Sequence, residues 1–302
     1  MCVTCGCSDD SQVTMTNMQT QEVHSLDDQH SHQGDLHGDH THTLPDGTVI
    51  HHSHHHEHSH NHNHDHQHSD KLEPSADLIP MVTNSLHGTT IALEEKILGK
   101  NNLIAAQNRG WFKGRNILAL NLVSSPGAGK TTLLTRTIND LKEQLNISVI
   151  EGDQATVHDA EKIRQTGCQV VQINTGKGCH LEANMVEQGY TQLQPPLNSV
   201  VMIENVGNLV CPALFDLGET AKVVMLSVTE GEDKPMKYPH IFRASHVMIL
   251  TKIDLLPYVE FDSDRCLEYA RQVNPNLKIF TLSAKTGEGL DSWYNWLKQG
   301  IH

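Results

Sequence analysis

The sequence predicts an α/β fold, a doubly wound and mostly parallel sheet, with a tail ahead of it that belongs to no core. Three observations predict this. Short apolar runs rich in β-branched residues alternate with amphipathic segments through the C-terminal part of the 302-residue chain. The first of these runs leads into a Gly-rich turn and then a helix start. Every aromatic residue lies at or beyond Trp111, so the means to build a core are confined to one side of the chain.

The runs ILALNLVSS, ISVIEGD, QVVQIN, SVVMIEN, KVVMLSV, HVMILT and LKIFTLS read as strands buried on both faces. Between them, Lys130–Leu145, Ala160–Thr166 and Leu267–Val273 read as amphipathic helices. Strand–helix alternation implies crossovers, and crossovers imply a parallel sheet. Ahead of the first strand, Leu86–Asn108 reads as an added helix with an apolar stripe at Ile91, Leu93, Ile97 and Ile104. Such a stripe is expected to pack on the sheet rather than dock a partner. The compact domain is expected to span 76–302.

Residues 1–70 contain eleven Asp or Glu and no Lys or Arg, and so supply most of the net charge of −14. Seventeen of the 23 histidines lie between His24 and His68. A stretch this polar cannot bury enough surface to offset its ordering entropy, so 8–75 is expected to be a disordered, His-rich acidic tract. An acidic tail on a near-neutral domain argues against nucleic acid as partner, because phosphate binding needs a basic face. No apolar run is long enough to span a bilayer and no signal-peptide pattern opens the chain, so the expected location is cytoplasmic. There the seven cysteines should be reduced, and thiols point to metal or catalysis before disulfides.

The turn after the first strand is SSPGAGKTT, Ser124–Thr132. A strand, a Gly-rich turn, Lys-Thr and a helix form a phosphate-binding loop. Gly127 and Gly129 let the backbone from Ser125 through Ala128 to Thr132 curl its N–H groups toward the phosphates. Lys130 is expected to reach the β- and γ-phosphates and Thr131 to ligate Mg²⁺. Ser124 stands where the motif wants Gly. Further on, TKID (Thr251–Asp254) resembles a guanine-reading element. The Asp254 carboxylate can accept from both N1–H and N2–H of guanine, a pair of donors that adenine lacks, with Lys252 along the base plane. SAK, Ser283–Ala284–Lys285, matches a third base-contacting element. For hydrolysis, Asp153 and Glu204 at strand ends and Asp159 beyond them are candidates to hold Mg²⁺ or position water. No glutamine stands ready after the Glu204 strand, so intrinsic turnover should be slow.

Three groups of residues could bind metal. Cys2, Cys5 and Cys7 lie within six residues and can converge on a soft ion such as Ni²⁺, Cu⁺ or Zn²⁺. His58 to His68 alternate strictly, which suits a buffer of many weak sites. Inside the domain, Cys179 and His180 in GKGCHLEA and Cys211 in ENVGNLVCPA both follow strands and are expected near the γ-phosphate. Adjacent Cys and His should have difficulty facing one ion, and a site shared across a dimer would relieve this. Cys168 and Cys266 are expected to be core residues or idle.

With these motifs together (Cys-x-x-Cys-Gly-Cys, the His tract, SSPGAGKTTLL, EGDQAT, GKGCHLEA, ENVGNLVCPA and TKIDLLP), the chain resembles the HypB family over nearly its whole length. The resemblance implies a dimerising P-loop GTPase needed to insert nickel into the large-subunit precursor of [NiFe]-hydrogenase. It implies tight nickel at Cys2, Cys5 and Cys7, and a weaker nickel or zinc site at Cys179, His180 and Cys211 on the dimer interface. It also implies a HypA-type nickel and zinc protein as partner. A nickel store with a peripheral GTPase is one alternative. The urease accessory GTPase UreG is another, but its Cys-Pro-His hallmark is broken here by Ala213 after Cys211-Pro212.

Overall fold

The structure is a computed structural model that describes residues 13–26, 40–43, 49–52, 79–153 and 158–301. Two compact units divide the chain, Asp28–His87 and the remainder. In the smaller, β3 (His40–Thr43) and β4 (Val49–His52) form an antiparallel hairpin. The larger holds the main sheet. Its parallel strands are β5 (Leu118–Ser124), β6 (Ile147–Asp153), β7 (Gln169–Asn174), β8 (Val200–Glu204), β9 (Ala221–Ser227), β10 (Val247–Thr251) and β11 (Lys278–Thr281). The spatial order is β11-β10-β9-β5-β8-β6-β7, the doubly wound arrangement that the alternating pattern predicts.

Residues alternate between the two faces of β5, and each set finds its own helices. Leu118, Leu120 and Leu122 pack with α2 (Lys130–Leu141), α3 (His158–Arg164) and α8 (Leu290–Gln299), through Leu133, Ile138, Ile163 and Trp293. On the opposite face Ala119 meets Phe112 of α1 (Ile79–Gly114) and Val186 and Tyr190 of α4 (Ala183–Leu193). Val123 belongs with Val224 and Leu226 under α6 (Pro239–Ala244) and α7 (Ser263–Val273). A further short helix, α5 (Lys234–Lys237), precedes α6.

The tail does not remain wholly outside the fold. Thr14–Asn17 (β1) pairs antiparallel with β7, and Val23–Ser25 (β2) pairs with β1. Over Thr14–Ser25 this differs from the disorder expected across 8–75. Met15 and Met18 supply the buried contacts, and the Gln19 side chain donates to Cys168 O. Two methionines suffice because β1 satisfies its backbone on both sides, on β7 and on β2, which forms the edge of the sheet. Thr14 lies opposite Asn174, so this strand starts at the rim where the loops of the site emerge.

The added helix also differs. It runs from Ile79 to Gly114, and the side that faces the domain carries Asn101, Ala105, Asn108 and Phe112. Ile97 and Ile104 are only half-buried, while Ile91 and Leu93 lie outside the residues whose burial is described. The two asparagines serve as clamps. Asn108 donates to Ala183 O and Leu217 O and accepts from the Tyr190 hydroxyl. Asn101 donates to Asp216 O and accepts from Ala183 N. Gly218 permits this approach, since a Cβ there would collide with Ala105 O. No helix among the described residues is long and apolar enough to cross a membrane.

Candidate nucleotide and metal site

β5 ends at Ser124, and Gly127 (φ 78°) and Gly129 (φ 97°) turn the chain back into α2 through left-handed conformations that favour glycine. The turn borders a cavity of about 480 Å³ lined by Gly127, Gly129, Lys130, Thr131 and Thr132 from the loop. From the neighbouring strand ends come Glu151, Asp153, Glu204 and Asn205, from the first turn of α3 comes Asp159, and Lys252 lies across the opening. Such a cavity lies where an α/β sheet gathers ligands, beyond the carboxyl ends of its strands. Ser124, at the motif's Gly position, is fully buried, and its hydroxyl accepts from Lys130 Nζ at 2.9 Å.

The loop is strapped from the side. The Thr251 hydroxyl donates to Ala128 O at 2.7 Å, and Lys252 Nζ donates to Gly127 O at 2.7 Å. The substitution of Thr for the usual Asn therefore retains a contact with the phosphate loop. Ser283 donates to Asp254 Oδ1 at 2.6 Å, which fixes one carboxylate oxygen and leaves the other edge for a base. Lys285 N and Thr286 N in turn donate to the Ser283 hydroxyl, and Ala284 O accepts from Arg136. The TKID and SAK segments are thus one assembly.

The acidic residues are closer together than their sequence separation suggests. Glu151 and Glu204 are register partners on β6 and β8. Glu204 accepts from the Thr131 hydroxyl at 2.7 Å, while one oxygen of each glutamate is buried without a hydrogen-bond partner. Burial pushes Glu204 up to about 7. Burial, and then the charge of Glu204, pushes Glu151 up to about 9. Burial also lowers Lys130, against the pull of Glu204. Asp159 is held below its ordinary value: its partial burial is outweighed by hydrogen bonds from Lys162 and Thr131. Glu151 is absent from the sequence-based candidates. Its signal was a glutamate two residues before Asp153, on the same face of an otherwise apolar strand.

At the same rim lies the second cluster. Cys179 Sγ and Cys211 Sγ are 3.0 Å apart, and Cys179 Sγ lies 3.6 Å from His180 Nδ1. One ligand atom from each of the three residues falls within 4.8 Å of the others. A single chain thus brings one donor atom of each of the three residues together, although adjacent Cys and His were expected to have difficulty facing one ion. The turn Thr175–Gly178, closed by Gly178 N to Thr175 O and by the Thr175 hydroxyl to Gly178 O, swings Cys179 outward. His180 folds inward against the Phe215 ring, 3.9 Å between centroids. Cys211 opens a 3-10 turn, Cys211–Ala213, led by Pro212. Burial holds His180 at about 4, hence neutral at physiological pH, the form that ligates metal. By contrast, Cys168 and Cys266 are buried in the core with thiols pushed up to about 12 by burial. Cys2, Cys5, Cys7 and the His58–His68 run lie outside the described residues.

Residues 118–281 match the family described as CobW/HypB/UreG, nucleotide-binding domain. The hydrogenase maturation factor HypB of Rhizobium leguminosarum bv. viciae is 58% identical over 208 residues, 69% of this chain and 70% of that protein. The crystal structure of HypB from Archaeoglobus fulgidus superposes with a TM-score of 0.64 at 36% identity, covering 68% of this chain and 100% of that one. A structure of HypB from Helicobacter pylori in complex with nickel gives 0.63 at 36% identity, covering 66% and 94%. A shared nucleotide-binding domain, this level of identity and a common fold have one reading: the chain belongs to the HypB hydrogenase maturation factors within the CobW/HypB/UreG family.

Proposed function

We propose that this chain is a GTPase that binds nickel at Cys179, His180 and Cys211, and that its nucleotide state gates release of that nickel toward [NiFe]-hydrogenase. The observation that carries the reading is the placement of the thiol–imidazole cluster. Cys211 lies on the segment that continues from Glu204 and Asn205, two residues of the nucleotide cavity. A change in the loop after Glu204 on nucleotide exchange therefore reaches the metal ligands through a few residues of the same loop.

Guanine is the base that Asp254, held by Ser283, would select. Ser125, Gly127, Ala128, Gly129, Lys130, Thr131 and Thr132 would cradle the phosphates. Mg²⁺ fits the site, because unpartnered carboxylate oxygens beside the Thr131 hydroxyl offer the hard oxygen donors it prefers. Thr131 with Asp153, Asp159 or Glu204 would hold it, and it would supply charge neutralisation on the β- and γ-phosphates. The residues themselves position: Lys130 meets the phosphate oxygens, and the acids orient water for attack on the γ-phosphorus, giving GDP and phosphate. Slow intrinsic turnover is the expected behaviour of this site.

Two thiolates and a neutral imidazole suit Ni²⁺ and also Zn²⁺. Three donors from one chain leave a fourth coordination position for water, a second copy of the chain or an acceptor. Val210 and Leu214, 56% and 57% exposed beside the cluster, give that neighbourhood an apolar contact surface suited to a homodimer. A HypA-type protein and the hydrogenase large-subunit precursor are the expected downstream partners. The test is nickel affinity with GDP and with a non-hydrolysable GTP analogue, in full-length protein carrying Cys2→Ala, Cys5→Ala and Cys7→Ala. Gating requires the two dissociation constants to differ; equal values refute it.

A further inference from the structure

A buried polar chain runs under both loops of the metal cluster. It starts at Asn205, on the cavity wall directly after Glu204. Asn205 Oδ1 accepts from Leu181 N, next to His180, and Nδ2 donates to Asn121 Oδ1 at 3.2 Å. Asn121, in the middle of β5, donates to Glu219 Oε1 at 3.1 Å. Glu219 lies 3.5 Å from Lys222 Nζ, and both side chains are almost wholly buried. Lys222 Nζ donates to Pro212 O at 2.6 Å and to Phe215 O at 3.0 Å. Pro212 belongs to the turn that begins at Cys211, and Phe215 is the ring against which His180 rests.

We propose that Asn121, Glu219 and Lys222 are positioning residues for the Cys179/His180/Cys211 cluster, and that the chain from Asn205 to Lys222 transmits nucleotide state to it. The inference rests on the gating proposed above and names the residues that carry it. Stability does not explain the chain. A buried ion pair can often be replaced by apolar side chains of similar size with little loss, and an Asn inside a core strand costs free energy unless it is fully paired. Here each link is paired at both ends, so the arrangement is specific and has little slack. One end abuts the residue that holds the Thr131 hydroxyl. The other grips the backbone on the far side of Cys211, and a branch holds the backbone just after His180. A shift of Asn205 is therefore delivered to both metal loops together.

The experiment compares nickel(II) dissociation constants, read from the thiolate-to-nickel absorption band, with GDP and with a non-hydrolysable GTP analogue. The protein is full-length with Cys2, Cys5 and Cys7 replaced by Ala. Three backgrounds follow: Glu219→Gln, Glu219→Gln/Lys222→Met and Asn121→Ser. The last cuts the middle link without leaving a buried charge, and thermal melting identifies the variants that fold. Coupling between sites is typically ~5–150-fold. We expect the ratio of the two constants to collapse toward unity in the folded variants, while GDP affinity stays near that of the parent. A ratio that persists in all folded variants overturns the proposal. A parental ratio of unity is a different failure: it removes the gating itself, and the proposed chain with it.

Discussion

Replacing Asp254 by Asn tests the base specificity on which the GTPase reading depends. Ser283 donates to Asp254 Oδ1 at 2.6 Å, and Lys252 is tied to the phosphate loop, so the Asp254 side chain has a fixed orientation before any nucleotide arrives. On the proposed reading, the parent carboxylate would accept from N1–H and N2–H of guanine. The amide introduced by Asp254→Asn would retain the Ser283 bond through its oxygen and turn an N–H₂ donor toward those donors. Each hydrogen bond to a charged acceptor contributes ~1.5–3 kcal/mol, so losing two costs roughly 3–6 kcal/mol, about 10²–10⁴ in GTP affinity. Xanthine carries an oxygen in place of the exocyclic amine and accepts from the new amide, so XTP should gain where GTP loses. The assay is competition of GTP, XTP and ATP against a fluorescent nucleotide on parent and D254N. A D254N variant that still prefers GTP over XTP would refute the assignment of Asp254 as the base reader.

Two further predictions follow from buried polar groups. Asn108→Ala removes two donated bonds and one accepted bond from a fully buried amide, and should cost about 3–5 kcal/mol in urea unfolding. A loss under about 1 kcal/mol would mean that α1 is held by its apolar contacts alone. His180, held at about 4 when folded against an ordinary 6.5, stays neutral in the fold while the unfolded chain takes up a proton. Its contribution to stability is present above pH 6.5 and is lost as pH falls toward 4, by at most about 3 kcal/mol. Stability of His180→Gln minus that of the parent should therefore rise as pH falls through that window in metal-free protein. A flat difference would show that the ring is solvated.

Most of the core strands were legible because they are short apolar runs, bounded by turn residues and separated by amphipathic segments; β11, with Lys278 and Thr281 exposed, was legible mainly from its place in that alternation. The phosphate loop was legible because its chemistry needs glycine at fixed intervals. What the sequence hid was polar and long-range. Asn121 and Lys222 read as blemishes in apolar runs, since their meaning lies in Glu219 and in carbonyls that no local pattern connects to them. β1 was hidden because Thr14–Asn17 sits in a tract whose average composition forbids a core, while a strand laid beside β7 needs only that neighbour, its own partner β2 and two buried methionines. The geometry of the Cys179–His180 pair was hidden for a related reason. Side-chain directions of adjacent residues depend on the turn closed at Gly178, and the Gly-Lys-Gly run of the sequence marks a turn there without saying which way it aims Cys179 and His180.

The paired glutamates make the site answer to a complete ligand rather than to its parts. Glu151 and Glu204 share an enclosed edge of the cavity, where burial raises both and the charge of Glu204 raises Glu151 further, so the neutral carboxyl is favoured, most of all at Glu151. Without ligand the pocket thus carries less negative charge than its residue list implies. A divalent cation offsets part of the triphosphate's charge, so the two brought together disturb the buried carboxyls less than the triphosphate does alone. Glu151→Gln follows as a prediction. An isosteric amide reproduces the neutral acid, so nucleotide affinity at pH 7 should stay near that of the parent. A group whose pKa is raised by folding gives stability that is present below pH 4.5 and lost as pH climbs to 9. Glu151→Gln should therefore grow progressively more stable than the parent across that range, as read by thermal melting. If instead it loses magnesium-dependent nucleotide binding at pH 7, Glu151 is ionised in the working site and is itself a direct or water-mediated ligand of the cation.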